Sequence, residues 1–141
     1  MRMLILKMVK YFQRLETVGW PLLLVVIRLK VASIFWKSGR IKFTHWESTL
    51  SLFRFEYKVP YMPSDLAAYL VTTFELICPV LLIFGLMTRL AAVPLLIMTA
   101  VIQFTYLDHS DHTYWAILLS VLLLKGAGPL SLDAWCYKRH S

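Results

Sequence analysis

Two ionisable side chains, Arg28 and Glu75, fall inside long apolar runs of the sequence, where neither charge has a neighbour of opposite sign along the chain. A charge near the centre of a bilayer costs about 3 kcal/mol on insertion scales unless it is paired or hydrated inside the protein. A guanidinium buried there can donate to a carbonyl-bearing ligand, and a carboxylate can take up and return a proton. Helical spacing gives each group companions on its own face: Ala32, Phe35 and Gly39 beside Arg28, and Thr72, Cys78 and Leu82 beside Glu75. Thr99, Gln103 and Tyr106 make a third stripe, and His112, Trp115 and Leu119 a fourth. The four stripes can converge on one polar core, with Arg28, Glu75, Gln103, Thr72 and Trp115 as its candidate buried-pair and ligand-site residues. An Arg28–Glu75 contact that only locks helices together explains the same pattern, as does a proton path.

Asp108, His109, Asp111 and His112 are a second constellation, since imidazole and carboxylate suit zinc, copper or iron. A solvated polar turn between two spans is the simpler account of them. Cys78 and Cys136 form no CxxC pair, so neither a dithiol redox centre nor a disulfide framework is indicated. Neither a Ser-His-Asp arrangement nor a phosphate-binding loop is present.

The elements that must position these groups follow from composition. With 59% hydrophobic and 16% charged residues in 141 positions, the chain has more apolar surface than a water-soluble domain of this length can bury. Its solvent is therefore lipid. A crossing helix needs about 20 residues, and the expected fold is a single all-α integral membrane domain over residues 1–141, a four-transmembrane-helix bundle with spans near 20–43, 65–86, 90–107 and 113–132. Ser64 and Asp65 are placed to cap the second span. The fourth apolar run, Thr113 to Leu124, is short and needs continuation through Gly126 and Gly128 toward Leu132 to cross.

Residues 1–18 read as a retained amphipathic helix, with Leu4, Ile5, Met8, Phe12 and Leu15 on one face and Lys7, Lys10 and Arg14 on another, suited to an anionic membrane surface. The mixed stretch from Thr44 to Tyr61 reads as an interfacial helix or folded loop closed by Pro60 and Pro63. Trp20, Trp36, Trp115 and Trp135 fall near span ends, as belt anchors do. In this arrangement Arg28 and Glu75 lie eight and eleven residues from the same membrane face, a depth difference of about 5 Å that two long side chains bridge.

The net charge of +7 does not indicate nucleic acid, because the basic residues flank apolar runs instead of clustering. Positive-inside bias puts both termini in the cytoplasm, with the Asp108–His112 loop on the other side. Lipid is the first expected partner, other membrane or redox proteins the next, and a homo-oligomer is compatible.

Three segments together resemble the DoxX family of small bacterial membrane proteins. They are Arg28 with Phe35, Gly39, Lys42 and then Glu75; Gly85-Leu86-Met87-Thr88-Arg89-Leu90-Ala91-Ala92; and Lys125-Gly126-Ala127-Gly128-Pro129-Leu130-Ser131-Leu132-Asp133. The resemblance covers about Leu22 to Asp133. It implies a four-helix bundle in the bacterial inner membrane, a subunit or accessory of redox machinery that in some relatives is quinone-linked. The resemblance leaves the cofactor open, with a quinone compatible and a metal less so. A non-catalytic anchor that recruits a partner protein, or a metal-handling accessory, are the alternatives.

Overall fold

The computed structural model describes residues 1–57, 59–105 and 110–140. Among these the chain forms six helices and no strand: α1 (Arg2–Thr44), α2 (Trp46–Phe55), α3 (Ser64–Phe84), α4 (Thr88–Thr105), α5 (Ser110–Lys125) and α6 (Leu132–His140). Two of them, α1 and α3, are long and apolar enough to cross a membrane. α4 is apolar and slightly shorter. Helix α1 packs on α3 and α5, α3 on α4, and α4 on α5, which closes a cycle of contacts, while α2 lies against α3 and the end of α1.

The interior of that cycle follows the 3.6-residue period of the sequence. Helix α1 buries Leu24, Ile27, Arg28, Val31, Ala32, Phe35 and Gly39; α3 buries Ala67, Ala68, Thr72, Glu75, Cys78, Pro79 and Leu82. Leu95, Leu119 and Leu122 complete the core from α4 and α5, with Ala91 and Ala92 giving the close approach that small residues allow between apolar helices. A second, smaller cluster of Phe53, Ala67 and Ala68, flanked by Trp46, Leu50 and Tyr57, seats α2. The amphipathic stretch after Thr44 is thus a true helix, tied down by Thr49, whose hydroxyl donates to the Lys42 carbonyl at 3.0 Å.

Four expectations change. The N-terminal amphipathic segment is not a separate element: α1 runs unbroken through Gly19 and Pro21 for 43 residues, about 65 Å, and residues 1–20 are exposed throughout. A single proline removes one ladder hydrogen bond and can bend a helix without ending it, and here the helix carries on through Leu22, Leu23 and Leu24. The helix of the fourth apolar run does not continue to Leu132; it stops at Lys125, because Gly126 and Gly128 take φ of +75° and +79° and Pro129 follows. Ser64 and Asp65 do not cap α3. Pro63 holds that position, and the Asp65 carboxylate instead accepts from Arg54 Nε and Nη2 at 2.8 and 2.9 Å. Trp115 is not a belt anchor, since its ring lies half-buried against Phe35 and His112.

Candidate functional site

The buried charges occupy two separate polar centres at opposite ends of the α1–α3 contact. At one end Arg28 Nη2 donates to the Leu130 carbonyl at 2.8 Å. Gly85 ends α3 in the left-handed conformation, φ +66°, with its N–H bonded to Leu82 O and that of Leu86 to Leu81 O, a paired closure that needs a residue without a Cβ. The vacated space is filled by the Arg28 guanidinium, and a Cβ on Gly85 would collide with Nη1. Asp133 closes the same knot. Its carboxylate accepts from Met87 N at 2.7 Å and Thr88 N at 3.1 Å, satisfying free donors at the start of α4, while its own N–H donates to Gly85 O at 3.0 Å. Three distant sequence motifs therefore meet in one lock. Arg28 Nε and Nη1 have no hydrogen-bond partner among the described residues.

At the other end Gly39 rests on the backbone of Glu75, and one turn further along α1 Lys42 reaches back over it. Lys42 Nζ lies 2.8 Å from Glu75 Oε2 and 3.1 Å from Oε1, and also donates to Ser38 Oγ at 2.6 Å. Glu75 is 3% exposed and Lys42 16%, so the ion pair is largely out of solvent. It borders a chamber of about 370 Å³ walled by Phe35, Tyr57, Thr99, His112 and Trp115. The Trp115 ring stands edge-on to Phe35, with 6.0 Å between centroids, and to His112 at 4.9 Å. Burial first, then the carboxylates of Glu56 and Glu75, raise the Tyr57 phenol above its ordinary value, so at neutral pH it stays protonated. The chamber presents a cationic donor, an anionic acceptor and aromatic walls together. Groups of these kinds are chemically able to flank a ring and exchange a proton with it.

The expected Arg28–Glu75 contact is not formed. Level alignment of the two spans from Trp20 and Leu86 would have joined them, but Arg28 stands opposite Gly85 and Gly39 opposite Glu75, a register about two helical turns away. The carboxylate takes Lys42 instead, and the guanidinium takes a carbonyl. The signal for Lys42 was present in the stripe Arg28, Ala32, Phe35, Gly39, whose next member at helical spacing is Lys42.

Of the other expected site residues, Trp115 lines the chamber with Glu75. Thr72 is buried on α3 but faces a different recess beside Phe43, Trp46 and Tyr69. Gln103 is half-buried and outside the chamber lining. Asp108 and His109 lie outside the described residues. Asp111 is exposed, while His112 turns into the chamber wall, and among the described residues no group of three or more potential metal ligands forms.

An uncharacterized protein of Haemophilus influenzae is 30% identical over 134 residues, covering 85% of this chain and 87% of its own length. No solved structure matches the chain. The family model for DoxX matches residues 23–108, a region that includes both Arg28 and the Lys42–Glu75 pair. The chain belongs to the DoxX family of membrane proteins.

Proposed function

We propose that this protein is a four-pass inner-membrane subunit or accessory of a redox system, in which the Lys42–Glu75 chamber binds the head of a quinone-class carrier. In this reading α1, α3, α4 and α5 are the crossing segments, α5 being about 24 Å long and reaching the headgroup region through the stem of Lys125, with both termini in the cytoplasm on the positive-inside argument. The supporting observation is the largely buried Lys42–Glu75 pair beside an aromatic chamber wide enough for one ring. The residues fit such a group: Lys42 Nζ can donate to a ring carbonyl, Glu75 Oε2 can accept from a ring hydroxyl, and Trp115 with Phe35 can flank the ring and exclude water. The carrier, when bound, supplies a two-electron, two-proton couple, and the electrons come from a partner oxidoreductase. Glu75 holds or releases a proton at its carboxylate, with Lys42 stabilising the anionic form.

The test is the quinone content of protein extracted in mild detergent, beside quinone-linked electron flow in membranes carrying Glu75→Gln. Retained quinone and impaired flow support the reading. A quinone-free preparation together with undiminished flow in the variant removes it.

A second reading, an anchor that recruits a soluble partner, draws on the exposed N-terminal two fifths of α1, where Lys7, Lys10 and Arg14 have no packing role. Charge reversal at these three positions then releases the partner, while Lys42→Met with Glu75→Leu leaves function intact.

A further inference from the structure

A second cavity, about 540 Å³, adjoins the chamber, and Lys42, Tyr57 and Ile102 line both. Apart from Lys42 and Tyr57 its lining is apolar, and it runs between α3 and α4 from Ile102 to Leu90, about 18 Å along the α4 axis. Its rim residues Phe74, Leu90, Val93 and Ile97 are exposed, so in a membrane the groove opens sideways toward acyl chains and away from the aqueous phases. One end of this groove is thus polar and compensated, and the rest is a trough of side chains that water would not fill.

We propose that the α3–α4 groove holds the apolar chain of a single-chain amphiphile whose neutral, ring-bearing head sits in the chamber against Lys42 and Glu75. The proposal rests on the reading of the chamber as a head-group site and adds where the rest of the ligand lies. The head is neutral because Glu75 already compensates Lys42, while Lys37, the other cation on the lining, is exposed and screened by solvent, and a phosphate or carboxylate head would bring a second anion against Glu75. It is ring-bearing because the chamber walls are aromatic. The chain follows from continuity, since a ligand seated between Lys42 and Tyr57 meets only apolar side chains along the groove.

Two measurements on the full-length protein in detergent test this. The first compares binding of a benzoquinone carrying a ten-carbon chain with the same ring carrying none. The chained form should bind at least about tenfold more tightly, because burial of each methylene is favourable. Val93→Trp, or Leu70→Trp on the facing wall, should abolish that preference and leave the chainless form unaffected. Equal affinity of the two forms, or a preference that survives both tryptophans, overturns the proposal. The second uses a photoreactive diazirine in the alkyl chain of a neutral, hydroxylated single-chain probe, with labelled peptides mapped by mass spectrometry. Labelling confined to residues 70–74 and 93–98 and lost in Val93→Trp sustains the groove even if the benzoquinones fail to bind, in which case only the quinone head is lost. Uniform labelling of the lipid-facing surface, or equal labelling of the groove by a phosphatidyl probe, overturns it in favour of bulk lipid contact.

Discussion

Gly39 and Glu75 pack backbone to backbone: a Cβ on Gly39 would stand 3.0 Å from both the carbonyl carbon and the Cβ of Glu75. This contact sets the distance between α1 and α3 at the level of the chamber and brings Lys42 within reach of the carboxylate. Gly39→Ala must push the helices apart or twist them. A loss of about 1–3 kcal/mol is expected from overpacking of this kind, read as a lower melting temperature in detergent, and the chamber's affinity for its ligand should fall with it. An unchanged melting temperature would mean that the helices are not held this closely.

The Lys42–Glu75 pair should behave as a buried ion pair. Lys42→Met alone leaves a buried carboxylate without its cation, for which about 3–5 kcal/mol is the usual penalty of breaking a buried pair. Lys42→Met combined with Glu75→Leu removes both charges and should recover most of that loss. A thermal-unfolding double-mutant cycle measures the coupling; additive losses would show the pair to be water-exposed.

Arg54 and Asp65 provide the control. Their geometry is as good as that of Lys42 and Glu75, at 2.8 Å, but both side chains are about half exposed. The Asp65 carboxylate raises the Arg54 guanidinium further above its already high value by hydrogen bonding first and charge second. Solvent screening leaves such a pair little net effect on folding, so Arg54→Ala should leave the melting temperature where it was. A drop as large as that of Lys42→Met would show that exposure does not separate the two pairs.

The Gly85 lock predicts coupling between residues 57 positions apart. Gly85→Ala loses about 1–2 kcal/mol from its left-handed backbone alone, and more from the collision with the Arg28 guanidinium. Arg28→Ala in the same chain removes that collision and leaves only the one with the Ser131 Cβ, so the double variant should be less damaged than the sum of the two single ones. Asp133→Ala, which frees the N–H groups of Met87 and Thr88, should cost about 1–2 kcal/mol as loss of a helix cap does and raise proteolysis at the turn between α3 and α4. Strict additivity of Gly85→Ala and Arg28→Ala would contradict the contact.

Several features of this protein were legible in its sequence because they depend on neighbours along the helix. The burial of Arg28, Ala32, Phe35 and Gly39 on one face of α1, and of Thr72, Glu75, Cys78 and Leu82 on one face of α3, follows from the helical period and from what apolar surroundings tolerate. For the stretch after Thr44 the same period admitted a helix or a folded loop, and the family was legible instead from three separate motifs in their order. What the tertiary structure decided was register. Sliding two antiparallel helices by two turns keeps every buried face buried, so no count of apolar residues distinguishes one alignment from another. The alignment is set by shape: the glycine at 39 that admits Glu75, the glycine at 85 that admits Arg28, and the carbonyl of Leu130 that waits there. Those contacts separate two charges that composition alone would have joined, and hand Glu75 to Lys42.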